Sequence, residues 1–246
     1  MDRDLTAWLE EWPYDAGRVK ARRVRGADGR TRVQLRVELG ILQMEEKDRP
    51  DGARPHGYPS LLDYHRMIER TSPGPPAPLD EEACTALQME AVQYYHRYLA
   101  LSALGHLDGV VADCAHNLAL IELVLRRAPD QPSAESLAQL YPFVRMMHAR
   151  AKAEVLMDRA EAEQAVAAVE EALKDIERMA ERHGLSENVR RLREIESLSE
   201  LLVSLRGQGH ENPTARLRRE LDAAVASEDF ERAAELRDQL RASREG

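Results

Sequence analysis

Eight histidines and two cysteines in 246 residues are the side chains from which a metal centre or a thiol nucleophile would be built, and their spacing argues against both. His56 and His65 flank a turn-rich loop, while His96, His106 and His116 fall on or between helical stretches. None forms a His-x-x-x-His pair or a His/Cys group that would bring ligands together. Asp113 with His116 or Asn117 is a one-turn spacing, but helical surfaces present such pairs routinely. Cys84 and Cys114 lie in helical patterns among apolar neighbours and read as buried thiols of a reducing compartment. Glu81 and Glu82, just before Cys84, oppose any thiolate there. There is no serine elbow, and Gly26 and Gly29 belong to a hairpin turn without the Gly-Lys-Ser/Thr of a phosphate loop. Glu170, Glu171, Glu194 and Glu196 sit on polar helix faces. Together with Arg190, Arg191 and Arg193 they are read as solvated or in i,i+4 pairs contributing about a few tenths of a kcal/mol. The expectation is a protein that is not an enzyme and has no metal or cofactor.

The elements around these residues are helical. Charged residues make up 32% of the chain and aromatics only 4%. Together with high Ala, Leu, Glu and Arg usage, this favours helices packed by aliphatic and alanine contacts. The spacing predicts helices near 80–104, 108–127, 134–157, 160–183 and 187–206, separated by Gly105, by Pro129 to Pro132 and by Gly184, with Pro142 delaying or kinking the third. Short loops between them imply antiparallel pairs.

Before this bundle, Leu5 to Glu11 reads as an opening helix. Residues 18–25 and 32–39 alternate as two strands joined through Gly26-Ala27-Asp28-Gly29, whose Asp-Gly pair marks a hairpin turn. Residues 48–57 form a Pro- and Gly-rich loop, and residues 60–68 a short amphipathic helix. Thr71 to Pro78, with four prolines, favours an extended spacer. The domains expected are therefore an N-terminal α+β region at 1–70, a linker at 71–79, a helical bundle at 80–206, a second linker at 207–213 and a helical hairpin at 214–243.

The formal charge of −9 argues against a dominant nucleic-acid surface, since phosphate contacts need a basic face. Arg18, Lys20, Arg22, Arg23, Arg25, Arg30, Arg32 and Arg36 make the N-terminal hairpin locally basic. No aromatic residues interleave there for base stacking, so they are read as solvated strand faces and not as a direct nucleic-acid contact. No apolar run approaches the about 18 residues of a membrane span, and the chain is read as soluble and cytoplasmic.

The most specific pattern is C-terminal. Leu217, Leu221, Ala224 and Val225 fall at i, i+4, i+7 and i+8, a helix stripe entered through Pro213 and Thr214. Ser227-Glu228-Asp229 then offers a cap and two negative charges for a second helix. On that helix Phe230, Ala233, Ala234, Arg237 and Leu240 share one broad face, and the alanines are small enough to admit a close neighbour. Two short helices cannot fully bury both stripes against each other, which makes the hairpin a docking element.

Phe230, Ala233, Ala234, Leu236, Arg237 and Asp238 resemble the core of the UVR motif, the helical hairpin of the bacterial excision-repair proteins UvrB and UvrC. The likeness covers about 216–242. It implies a non-enzymatic interaction module that docks on UvrB or UvrC, or on a second copy of this chain. Its contacts would be Leu217, Leu221, Val225, Phe230, Ala233, Ala234, Leu236 and Leu240, with Arg237 and Asp238 fixing orientation. Related motifs in ClpC-type AAA+ chaperones and their adaptors leave an adaptor or regulator as the alternative, alongside a self-associating structural protein. Tyr98 to Gly105, Val110, Asn117, Ile121 and Pro129 are similar to a tetratricopeptide repeat, and 143–182 suggests a more degenerate second pair. The fold expected is mainly α: a tetratricopeptide-like antiparallel bundle with a small N-terminal β-hairpin region and a C-terminal helical hairpin.

Overall fold

The computed structural model describes residues 4–128, 132–182, 193–209, 220–221, 224–225 and 229–245. They form two compact units, Met1–Ser199 and Glu200–Gly246. The protein is mainly helical, with one small antiparallel sheet near its N-terminus.

The first unit opens with helix α1 (Thr6–Glu11) and a sheet of three strands in the order β1 (Lys20–Arg25), β2 (Thr31–Val37), β3 (Gly40–Glu45). The third strand was not expected from the sequence. Val37 pairs with Gly40, so only Glu38 and Leu39 form the turn, and neither is a residue type that announces a two-residue hairpin. The expected Asp-Gly turn is present. Gly29 has φ +77° and donates to Gly26 O, and Gly26 donates to Arg30 O at 2.9 Å. Val33, Leu35 and Met44 supply the sheet's buried apolar face. The other row of the central strand is polar: Arg22 Nε donates to Gln34 Oε1 (2.7 Å), and Gln34 Nε2 donates to Gln43 Oε1 (2.9 Å) across the three strands.

Several of the basic residues are not the solvated faces expected. Arg36 is buried and donates to the carbonyls of Trp12, Val37 and Gly40. Arg32 bridges Asp28 and Glu45, and Arg22 lies 4.3 Å over the Trp12 ring. The reason is topological: the third strand and the returning α1 segment bring carbonyls, carboxylates and an indole to side chains that an isolated hairpin would leave in water.

Helix α2 (Leu61–Thr71) starts at a reciprocal cap, with Ser60 Oγ accepting from Asp63 N and donating to Asp63 Oδ2. After the proline-rich stretch come α3 (Glu81–Ala103), α4 (Leu107–Arg127), α5 (Pro132–Asp158) and α6 (Ala162–Arg182), close to the spans expected. Asp80 caps α3 by accepting from Ala83 N. Helix α5 runs through Pro142. The stretch before α3 is tied to the end of α4: Leu79 N donates to Arg127 O, and Arg127 Nη2 donates to Ala77 O. Consecutive helices pack in sequence from α3 to α6. One apolar core runs from Val33 and Leu35 through Leu87, Tyr98, Leu101, Leu120 and Ile121 to Leu137 and Val144.

Gly105 makes the α3–α4 corner. At φ +68° it stands where an L side chain would clash with its own backbone. Its N–H donates to Ser102 O and that of His106 to Leu101 O, which satisfies two of the last carbonyls of α3. Helix α7 (Arg193–Gly209) follows. The expected start of this helix at 187 and the break at Gly184 lie outside the described residues, as do 210–213 of the second linker. Helix α8 (Phe230–Glu245) ends the chain.

Candidate functional site

Asp113, His116 and Asn117, the one-turn set of possible ligands, are engaged elsewhere. Asp113 receives Arg97 Nε at 2.8 Å and Nη2 at 2.6 Å, His116 Nε2 faces Glu90 Oε1 at 3.2 Å, and Asn117 Nδ2 donates to Ala91 O at 2.9 Å. Among the described residues no three of His, Cys, Asp and Glu converge as metal ligands. Cys84 and Cys114 are buried, and burial pushes the Cys114 thiol far up, away from thiolate character.

Glu90 is fully buried in α3 and does structural work that the sequence reading did not anticipate. Its carboxylate accepts from Leu61 N (2.8 Å) and Leu62 N (3.2 Å) at the start of α2, where exposed N–H groups and the helix dipole favour an anion. Arg49 Nε approaches it at 3.4 Å, and His116, stacked on Tyr94 at 3.7 Å, closes the cluster. Burial works to raise the Glu90 pKa, but the bonds from His116, Leu61 and Leu62 together hold it below its usual range. A signal for this cluster was present in the sequence. Glu90, Tyr94, Arg97 and Leu101 fall at i, i+4, i+7 and i+11, so two charged residues occupy an apolar stripe, where only partnered charges are stable.

The C-terminal unit holds the expected docking residues. Asp229 caps α8 by accepting from Arg232 N at 3.1 Å, and its own N–H donates to Ala224 O at 2.9 Å. Ala224, Ala233 and Leu236 are buried together, with Leu221 half-buried against them. Ala233 and Leu236 therefore face the hairpin's own core. Ala234 and Arg237, expected on the same face as Ala233, are exposed, as is Asp238, whose Oδ1 lies 3.7 Å from Arg237 Nε. Val225 is 52% exposed despite its apolar side chain. Phe230 and Leu240 belong to α8 and are described in backbone only, and Leu217 lies outside the described residues. The structure thus brings Leu221, Ala233 and Leu236 together and sets Val225, Ala234, Arg237 and Asp238 at the surface.

These elements define a mainly helical protein whose second unit includes a capped helix, α8, packed in a small buried cluster with Ala224. A family model described as the UvrB/uvrC motif matches residues 211–246, so the C-terminal segment is similar to that motif over this span. No curated protein and no solved structure matches the chain. Among the described residues no helix is long and apolar enough to cross a membrane.

Proposed function

We propose that this chain is a non-enzymatic, cytoplasmic interaction protein that docks through its C-terminal hairpin onto a UvrB- or UvrC-type excision-repair protein. The observation that supports this reading is the UvrB/uvrC motif match over 211–246, on a segment that leaves Val225 exposed beside a closed core. Ala233, Leu236, Ala224 and Leu221 hold the two helices in register. Val225 and Ala234 offer an apolar contact, to which Leu217, Phe230 and Leu240 add the rest of the expected set. Arg237 and Asp238 at the rim select orientation, since charges at an interface edge govern specificity and encounter more than affinity. The helical bundle of the first unit, read as tetratricopeptide-like, is the scaffold that the hairpin tethers to its partner.

The test is direct binding of the full chain to purified UvrB, UvrC and a ClpC-type chaperone, each immobilised separately, with Val225→Asp and Ala234→Asp in parallel. Binding to UvrB or UvrC that weakens about tenfold or more in both variants supports the reading. Binding to the chaperone alone replaces it with the adaptor reading. Self-association in light scattering with no heterologous binding replaces it with a homotypic interface.

A further inference from the structure

Three segments of the first unit meet at Arg127, the last residue of α4. Its backbone carbonyl accepts from Leu79 N at 3.1 Å and its Nη2 donates to Ala77 O at 2.6 Å. Pro73, Pro75 and Pro78 are exposed and have no N–H to donate, so Arg127 supplies the hydrogen bonds that fasten this stretch to the bundle. Its Nη1 faces Nδ1 of His65, on α2, at 3.4 Å. A guanidinium only donates, so Nδ1 accepts and the ring is neutral, with its proton on Nε2. Arg127 Nε is buried without a partner among the described residues, and neither His65 nor the Ala77 carbonyl brings a negative charge. A cation is thus seated against a neutral histidine that is only 9% exposed.

Neither nearby carboxylate is free to balance a second positive charge there. Glu90, from α3, is committed to Leu61 N, Leu62 N and His116, with Arg49 Nε at 3.4 Å. Glu69, on α2 itself, is paired with Arg126 of α4 at 2.7 Å. Tyr64 lies edge-on to His65, and His56 of the preceding turn, stacked on Tyr64 at 4.1 Å, adds a further basic group. Burial first, then Arg127 and His56, hold the His65 pKa below its usual value, against the weaker pull of Glu90 and Glu69. An excursion that lifts α2 off α4 therefore frees His65 to take a proton that the docked ring resists. Acid raises the population of that open form.

We propose that His65 and Arg127 form an acid-sensitive latch: protonation of His65 sets it against Arg127, and α2 and the stretch 72–79 release together from the end of α4 while α3 to α6 stay closed. The latch lies within the first unit, so its failure would leave the docking reading untouched.

Amide hydrogen exchange of the full chain at about pH 7.5 and about pH 5.5, corrected for the intrinsic rate, tests it. With one proton linked to the opening, protection of α2 and of the Leu79 N–H should fall about three- to tenfold across this interval. The fall should be unaffected by dilute urea, because a local opening exposes little surface, whereas exchange in α3 and α4 should be urea-dependent. His65→Asn keeps an acceptor near the position of Nδ1 and takes no proton, so in that chain α2 and Leu79 should keep constant protection. Unchanged protection in the parent chain would overturn the proposal, as would an equal fall in His65→Asn. A fall that shares the urea dependence of α3 and α4 would also overturn it, since α2 would then open only with the whole unit, and this comparison needs no variant.

Discussion

Arg97 on α3 and Asp113 on α4 form a two-pronged ion pair that is almost fully buried, with Nη2 to Oδ1 at 2.6 Å and Nε to Oδ2 at 2.8 Å. The third guanidinium nitrogen, Nη1, reaches out of the bundle to the carbonyls of Glu45 (3.0 Å) and Asp48 (2.6 Å). One side chain thus joins the first helix pair to the end of β3 and to the loop where Asp48 adopts φ +62°. Removing one partner of a buried pair strands the other, so Arg97→Met should cost about 3–5 kcal/mol in urea denaturation. Arg97→Met with Asp113→Leu should recover part of this, because the orphaned carboxylate is gone. It should not recover all, because the two loop carbonyls remain without their donor. A loss under about 1 kcal/mol for the single variant would mean that water replaces the guanidinium and that the pair is not the tie described.

Ala160 stands at the α5–α6 corner with φ +61°, in the conformation that Gly105 adopts at the α3–α4 corner. The hydrogen bonds are equivalent: Ala160 N to Met157 O and Glu161 N to Leu156 O here, Gly105 N to Ser102 O and His106 N to Leu101 O there. An alanine in this region bears a steric cost of about 1–2 kcal/mol that glycine avoids, partly offset by the greater freedom of glycine in the unfolded chain. Ala160→Gly should therefore stabilise by roughly 0.5–1 kcal/mol, a rise of about 1–4 °C in melting temperature. Gly105→Ala should destabilise by a similar amount. A lower melting temperature for Ala160→Gly would show that the corner tolerates its alanine without strain.

His148 supplies a pH dependence. It is half-buried on α5 with Nδ1 3.2 Å from Arg145 Nη1, so the neutral ring accepts there. Desolvation first, then the charges of Arg145 and Lys152, push its pKa from 6.5 down to about 4. The folded protein thus resists a proton that the unfolded chain accepts. The contribution of His148 is complete above about pH 6.5 and is lost as pH falls toward about 4. Discounted for partial exposure, the loss is on the order of 1–2 kcal/mol. His65 and His96, also lowered by burial, add the same sign. His148→Asn, which keeps an acceptor near the position of Nδ1, should flatten the denaturation midpoint between pH 6.5 and 4 relative to the parent chain. An unchanged slope would remove His148 as the responsible group.

The contrast between these corners shows what could be read from the chain and what could not. Helices α3 to α6 were legible because each carries its apolar spacing, and the first two are bounded by Asp80, Gly105 and Pro129, whose conformational demands are local. The corner at Ala160 carries no such residue signal, because alanine announces no turn. Strand β3 was missed for the same reason at Glu38 and Leu39. Glu90 and Arg97 were not picked out, and Asp113 only as a one-turn neighbour of His116 and Asn117, because a charge within a helical pattern is ordinarily solvated. Its partner, fifteen or more residues away, becomes visible only once the helices are packed. In the hairpin, spacing identified the residues but not the facing: Ala233 and Leu236 close on Ala224, and Ala234 is turned to the surface.

That facing separates two roles which a docking experiment alone would merge. Leu236 is 1% exposed in the hairpin core, and Val225 stands in solvent. Leu236→Ala removes a buried side chain worth about 2–5 kcal/mol from a cluster that holds few others among the described residues, which is enough to open it. Amide hydrogen exchange across 220–245 should then accelerate toward the unprotected rate, and partner binding should fall with it. Val225→Asp adds a charge where the hairpin already meets water, so protection should stay as in the parent chain while binding falls. If Leu236→Ala leaves the amides protected, the buried cluster of Ala224, Ala233 and Leu236 is not what holds the two helices together. If Val225→Asp unprotects them, Val225 belongs to the core, and the exposed contact proposed for the partner has no anchor.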